Sequence, residues 1–360
     1  MDPTHARDGE RPYASLGRRE QIARLRDLAR AALVEYGVVD ARLTLLQHEH
    51  NTTFRVDAAG PTSVLRINRP GVHTPATIAA EMAWLQALRR DTDLGVPEPV
   101  AGRGGSLAVL AHAPGMSGPR VCVLVRHQAG RFVDERLTAA NMRSVARLLA
   151  GLQEHGARWA RPEDFVRPRV DSLTTAAKAA GIASAPAPPW HGDHPSREDA
   201  DRCLQLVTEL FTVADAAVLA AALDVVWATT RELAAQPGTA GLIHGDLHQE
   251  NYLFERGTAR AIDFDDCGWG LFLYDVAVTL SELEGCPRYA ELRDALLDEY
   301  AARRSLPAYA DDHLAALAIL RRIQLLAWVI ESRGHAAFRE EWRDRAREHL
   351  DALATSVTAS

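Results

Sequence analysis

The chain changes character near Arg126, and that change limits what it can fold into. Before it, short β-patterned runs stand at Thr44–Gln47, Thr53–Asp57, Val64–Ile67, Leu107–His112 and Val121–Val125, bounded by Gly, Pro and Asn. Two helical spacings accompany them. One covers residues 20–36, with Ile22, Leu25, Ala29, Ala32 or Leu33, and Tyr36 at helical spacing and Gly37 as its stop. The other is Pro75–Arg90, with Ile78, Met82 and Leu85 on one face. The first third thus reads as a sheet of about five strands with a helix inserted after the third. From Leu137 onward the periodicity is helical, beginning with Met142, Val145, Leu149 and Leu152. Later helices are expected over residues 201–235, 288–302, 311–332 and 335–354, with a Pro-rich loop within 171–200 and a β-patterned island at 241–263. A small β-rich lobe joined to a larger helical one makes the cleft between them the default ligand site.

Several function classes are disfavoured by what the sequence lacks. A net charge of −7 gives no global attraction for nucleic acid or an anionic membrane. No apolar run is expected to approach the roughly 20 residues of a membrane span, and the polar start has no signal-peptide core. Cys122, Cys203, Cys267 and Cys286 are scattered without CxxC spacing, which points to reduced thiols and a cytoplasmic location rather than to disulfides or zinc.

The chemistry-bearing residues concentrate in GLIHGDLHQENYLFERGTARAIDFDDCG. His244, Asp246 and Asn251 are spaced H-x-D-x-x-x-x-N, and Asp263 follows twelve residues later. Phosphoryl transfer from ATP needs a carboxylate near the acceptor hydroxyl, oxygen ligands for Mg2+ and cations on the remaining phosphate oxygens. Asp246 suits the first role, and Asn251 and Asp263 suit the second. The turn Arg256–Thr258 should fold Asn251 and Asp263 toward each other as a hairpin. His244 and His248 read as structural loop residues. Asp265 and Asp266 are as well explained by solvent or substrate as by metal.

This stretch resembles the aminoglycoside phosphotransferase family, a branch of the protein-kinase-like fold that includes choline, homoserine and hydroxylysine kinases. His244–Asn251 is similar to the family's HGDLHxxN loop. Ile262, Asp263, Phe264, Asp266, Gly268, Gly270, Tyr274, Asp275 and Ala277 match its metal segment, whereas Leu271 stands where many members carry an acidic residue. The resemblance implies that Asp246 is the catalytic Asp, that Asn251 and Asp263 bind Mg2+, and that Asp275 helps to hold the catalytic loop. In the small lobe it implies that Arg66 contacts the nucleotide phosphates, that Glu81 pairs with it, and that Asn51 belongs to the phosphate-covering hairpin, which here lacks the usual glycine. The connector after it resembles the adenine-binding hinge, with Val123 and Val125 as candidates for the backbone contacts.

The expected architecture is therefore α+β: a protein-kinase-like two-lobe fold, with a small antiparallel N-lobe carrying one inserted helix and a larger helical C-lobe. The expected boundaries are an arm at 1–18, the nucleotide lobe at 19–125, a hinge at 126–131, the catalytic and substrate lobe at 132–354 and a tail at 355–360. The expected activity is phosphorylation of a hydroxyl on a small molecule: an aminoglycoside or other antibiotic, as in antibiotic resistance, or an amino-alcohol metabolite. Asp265, Asp266 and Glu331 are the candidates for holding a cationic substrate. A protein Ser/Thr kinase of the bacterial stress type and a nucleotide-binding pseudoenzyme are the alternatives. The absence of an APE-type activation segment speaks against the first, and the intact Asp246, Asn251 and Asp263 against the second.

Overall fold

A computed structural model describes residues 12–48, 51–133, 136–170, 173, 195–334 and 339–359. The chain divides into two compact units, one formed by Met1–Gln86 and Pro97–His127, the other by Ala87–Val96 and Gln128–Ser360. The short excursion at residues 87–96 groups with the second unit although it precedes the end of the first.

The first unit is a five-stranded antiparallel sheet. Its strands are β1 (Arg42–His48), β2 (Thr52–Asp57), β3 (Ser63–Ile67), β4 (Ala108–Ala111) and β5 (Arg120–Arg126), in the order β1-β2-β3-β5-β4. The order is non-sequential because α2 (Pro75–Asp91) intervenes between β3 and β4. Helix α1 (Arg18–Glu35) packs Leu25, Leu28, Ala29, Ala32 and Leu33 into one core with Phe54, Val56, Leu65, Ile67, Cys122 and Leu124. Each such Leu is worth about 1.5–3 kcal/mol of burial. Tyr36 ends this helix, and its hydroxyl lies 3.1 Å from the Leu107 carbonyl and 3.0 Å from that of Cys122.

The second unit is mostly helical. Its helices are α3 (Ala139–Arg158), α4 (Arg197–Leu210), α5 (Val213–Ala234), α6 (Phe272–Ser281), α7 (Tyr289–Ala301), α8 (Ala310–Ser332) and α9 (Trp342–Ala359). Two small antiparallel ribbons lie among them. One pairs β6 (Ala240–Ile243) with β9 (Gly268–Leu271), the other β7 (Tyr252–Glu255) with β8 (Thr258–Ala261). Helix α3 backs both ribbons. Its Ser144 accepts the Ala259 N–H at 2.8 Å, and its Gly156 lies so close to β6 that a Cβ there would be 2.4 Å from the Leu242 carbonyl oxygen.

Three expectations change. The single helix at 201–235 is two helices. Thr212 accepts the Asp215 N–H at 3.2 Å while Asp215 accepts that of Thr212 at 3.0 Å, a reciprocal cap that starts a new helix. Arg347 of α9 bonds Asp215 at 2.6 Å and, as the largest influence on it, holds its carboxyl down at about 2. Helix α9 runs from Trp342 to Ala359, starting later and ending later than the expected 335–354. Finally, among the described residues, α5 and α8 are long and apolar enough to cross a membrane by length and composition, against the expectation that no run reaches that length. Core helices meet the same criterion, and 61% of the α8 stretch is buried within the protein. The four cysteines are free thiols. Residues 1–11 of the expected arm and most of 171–194 lie outside the described residues.

Candidate active site

The site in the helical unit is built on the turn after β6. His244 is fully buried, and the backbone N–H groups of His244 and Gly245 donate to the two carboxylate oxygens of Asp275 at 3.0 and 2.7 Å. Asp275 sits in the first turn of α6 and is itself fully buried, so burial pushes its carboxyl up to about 6 even though the two N–H donors favour the charged form. Gly245 has φ +83°, and a Cβ on it would come within 2.7 Å of the Asp266 carbonyl oxygen. Only glycine meets both conditions without displacing the Asp263–Asp266 segment.

The His244 ring completes the anchoring. Its Nδ1 accepts the Asp246 N–H at 3.3 Å, which leaves Nε2–H to donate to the Ile262 carbonyl at 3.0 Å. The ring is therefore the neutral Nε2–H tautomer. Burial holds it there, pushing its pKa down to about 4. One side chain thus ties the residue before Asp263 to the turn that carries Asp246.

Asp246 follows directly. Oδ2 accepts from Asn251 Nδ2 at 3.1 Å, and His248 Nε2 lies 3.4 Å away. Oδ1 receives Arg321 Nη2 at 2.6 Å. Burial alone would raise this carboxyl, but the Arg321 charge and the His248 contact outweigh it and hold the group well below the usual carboxylate range. The partner His248 is shifted upward. Burial acts against that shift, and the Asp246 carboxylate overcomes it.

Asn251 closes the 3-10 turn Gln249–Asn251 just before β7. Its Nδ2 also donates to the Asp246 backbone carbonyl at 2.8 Å, and since a carbonyl can only accept, this fixes which end of the amide is which. The side-chain oxygen is directed away from both Asp246 contacts. The Asn251 backbone oxygen accepts the Ile262 N–H at 2.9 Å, so Asn251 and Asp263 flank the open end of the β7–β8 hairpin, whose turn takes positive φ at Arg256 and Gly257. Asp263 is solvent-exposed and also left-handed, at φ 58°. A non-glycine residue in that region stores about 1–3 kcal/mol, a strain that collects at functional sites.

An oxygen pair of this kind suits a hard divalent cation that retains waters and phosphate ligands. Among the described residues no group of three or more His, Cys, Asp or Glu could hold a metal by itself.

Asp265 and Asp266 are half-buried beside this segment, and the Asp265 carbonyl accepts from Arg167 Nη2 at 2.5 Å. Leu271, at the departure from the family pattern, is buried opposite Ala240 at the end of β9. Glu331 is half-buried on α8, ten residues beyond Arg321 and so about 15 Å along the axis. It is not beside Asp246. Arg321, Gln324, Trp328 and Glu331 form one half-buried stripe on α8. Gln324 takes part in the framework, accepting the Tyr274 hydroxyl and donating to the Val170 carbonyl at 2.6 Å. A cavity of about 510 Å³ at the end of this stripe is lined by Trp328, Val329, Glu341, Asp344, Arg345, Glu348 and His349. Burial, with the Arg322 and Arg321 charges, pushes His349 down to about 4. A cavity of about 650 Å³ at Asp91, His155 and Trp159 includes none of the site residues.

Arg321 is the residue that sequence reasoning missed. The available signal was a charged pair, Arg321 and Arg322, interrupting an otherwise apolar helix three residues before Gln324 and seven before Trp328.

In the sheet unit, Arg66 and Glu81 form a buried bidentate pair, with contacts of 2.9 and 2.5 Å. Asn51 accepts the Arg69 N–H at 3.0 Å through its side-chain oxygen, while residues 49–50 of its hairpin lie outside the described residues. Val123 and Val125 fall inside β5, opposite Arg66 and Val64, and Val125 also bridges Pro99. Both lie in the strand expected at Val121–Val125. Past them, the Arg126 N–H bonds the Glu98 carbonyl at 2.8 Å and the His127 N–H that of Thr62 at 3.0 Å.

A five-stranded sheet unit carrying an Arg–Glu pair, and a helical unit carrying an anchored H-x-D turn with Asn and Asp at the mouth of a hairpin, define a kinase-like phosphotransferase. The chain belongs to the phosphotransferase enzyme family, whose sequence profile matches residues 42–311, and it is an ATP-dependent kinase of small molecules. An uncharacterized protein of Deinococcus radiodurans is 31% identical over 289 residues, covering 78% of this chain and 74% of that one. Among solved structures, the microcompartment-associated aminopropanol kinase is 31% identical, with a TM-score of 0.69 over 91% of this chain and 94% of that one. The amicoumacin kinase hAmiN, solved with AMP-PNP, Ca2+ and amicoumacin, shares the fold at 17% identity, with a TM-score of 0.64 over 93% of this chain and 96% of that one.

Proposed function

We propose that the protein transfers the γ-phosphoryl group of ATP, with Mg2+, to a hydroxyl of a small molecule bearing an amine. The observation that carries the reading is the Asp246 carboxylate, ionised and held by Arg321 and Asn251 on a turn pinned by Asp275. ATP supplies the phosphoryl group, and a divalent cation neutralises charge on its oxygens. Asn251, through its side-chain oxygen, and Asp263 are the donors this chain offers to that cation, and Arg66, held by Glu81, is the cation it offers to phosphate oxygens. Asp246 accepts the hydrogen bond of the acceptor hydroxyl, orients the hydroxyl's lone pair toward the phosphorus and receives its proton as the O–P bond forms and the bond from phosphorus to the bridging oxygen breaks, releasing ADP. So weakly basic a carboxylate acts by orientation first and takes the proton late.

Two observations favour an amine on the acceptor. The similar aminopropanol kinase acts on an amino alcohol by its name, and the cavity on α8 and α9 is lined by Trp328 with Asp344 and Glu348, while its Glu341 is paired with Arg345. A cation there gains both charge and a ring face. The test is a phosphorylation panel of amino alcohols, aminoglycosides and other antibiotics, neutral polyols and hydroxy acids, run at low and high salt. Amine-bearing acceptors should lead the ranking, with KM rising with ionic strength. A neutral or anionic best acceptor refutes the amine, and a folded protein as best acceptor refutes the small-molecule reading.

A further inference from the structure

We propose that Arg321 is a positioning residue for the transfer: it holds one oxygen of Asp246 so that the carboxylate meets the acceptor hydroxyl in a single orientation. The inference rests on the reading of Asp246 as the acceptor-facing carboxylate. The backbone around Asp246 is fixed by the His244 ring and by Asp275, but these contacts leave the carboxylate itself free to rotate. Asn251 ties down Oδ2 at 3.1 Å. His248 Nε2 lies 3.4 Å from the same oxygen. Contacts to one oxygen still permit a swing about it, and the Arg321 contact to Oδ1 at 2.6 Å removes it.

Arg321 reaches Asp246 from α8, 75 residues further along the chain, and its side chain is 12% exposed. Its neighbours Leu320 and Ile323 are core residues, so the guanidinium is carried by a rigid element rather than by the catalytic turn. A carboxylate has about four lone-pair sites, and the contacts from Asn251, Arg321 and His248 still leave room for a hydroxyl donor. Removing Arg321 also leaves the partly buried Asp246 without its cation and costs stability. The surrounding framework keeps its own ties in Thr279 to the Leu247 carbonyl and in Tyr274 to Gln324, so the experiment must separate folding from positioning.

The experiment uses the full chain, ATP and the best acceptor of the panel, with Arg321→Ala, Arg321→Lys and Asp246→Asn compared. A displacement of about 1 Å in a reacting group costs roughly a hundredfold, and Arg321→Ala should lose about that in kcat, with KM for ATP within about threefold of wild type. Arg321→Lys should recover about tenfold of the loss, a compact ammonium replacing the fork. Added guanidinium at millimolar concentrations should restore part of the Arg321→Ala activity saturably, which loss of folding would not allow. Arg321→Ala with kcat within about threefold of wild type overturns the inference, as does a loss that neither lysine nor guanidinium relieves. If Asp246→Asn retains more than about a tenth of turnover, the reading of Asp246 fails and the inference with it.

Discussion

Replacing Asp275 by alanine isolates the anchoring of the catalytic turn. The substitution leaves the His244 and Gly245 N–H groups without acceptors at a fully buried position. Each orphaned N–H costs about 1–3 kcal/mol, which sets the gross loss at about 2–6 kcal/mol. Removing a buried carboxylate offsets part of this, because burial opposes its ionisation and raises its pKa from 3.8 to about 6. A pKa raised on folding means that the native state binds more protons than the unfolded state between about pH 4 and pH 6. The contribution of Asp275 to stability is thus fullest below pH 4 and is lost as pH rises through 6. From pH 8 down to pH 5 the wild type should gain about 1.4 kcal/mol over Asp275→Ala, one pH unit of differential proton binding. Urea unfolding of both proteins at the two pH values measures this. We expect the alanine variant to be less stable at both, with the larger deficit at pH 5, and to lose turnover as the Asp246 turn relaxes. A deficit below about 0.5 kcal/mol at pH 5, or one that grows toward pH 8, would refute the reasoning.

Other substitutions test separate parts of the site. Gly245→Ala should reduce turnover strongly, since the added Cβ would lie 2.7 Å from the Asp266 carbonyl oxygen at φ +83°; unchanged kcat would mean that the turn relaxes freely. Asp263→Ala should abolish the dependence of ATP affinity on Mg2+, and affinity that still differs with and without EDTA would remove Asp263 from the cation site. Arg66→Ala should raise the KM for ATP and destabilise the sheet unit by about 3–5 kcal/mol, because it leaves Glu81 buried and unpaired. Arg66→Lys should recover much of the activity, and a silent Arg66→Ala would reduce the pair to a structural one.

The sequence carried the local chemistry well and the long-range chemistry poorly. His244, Asp246, Asn251 and Asp263 fall within one short stretch, and the Arg256–Gly257 turn that brings its two ends together is itself a local signal. Most strands and helices were similarly readable, because period-2 and period-3.6 patterns are local. Arg321 was not readable, because its partner is fixed by how α8 packs, 75 residues from Asp246, and an arginine in a helix reads first as a surface charge. The break at Thr212 was hidden because helical apolar spacing continues on both sides of it, and the Thr212–Asp215 cap marks it. Strand β9 was missed because Gly268 and Gly270 on either side of Trp269 carry little strand propensity, and the pairing with β6 is what extends them. The strand expected at Val121–Val125 was read correctly, and β5 extends it by one residue at each end, with Arg126 paired to Ser63.

The central claim is that Asp246 acts on the acceptor, and steady-state turnover of Asp246→Asn, measured beside its ATP affinity, tests it most directly. Asparagine keeps the size of the side chain and one acceptor oxygen but removes the charge that orients the hydroxyl and receives its proton. The account predicts a fall in kcat of at least about a thousandfold, with the dissociation constant for ATP changed no more than a few-fold. Turnover above about a tenth of wild type, or a loss carried entirely by weaker ATP binding, would contradict it.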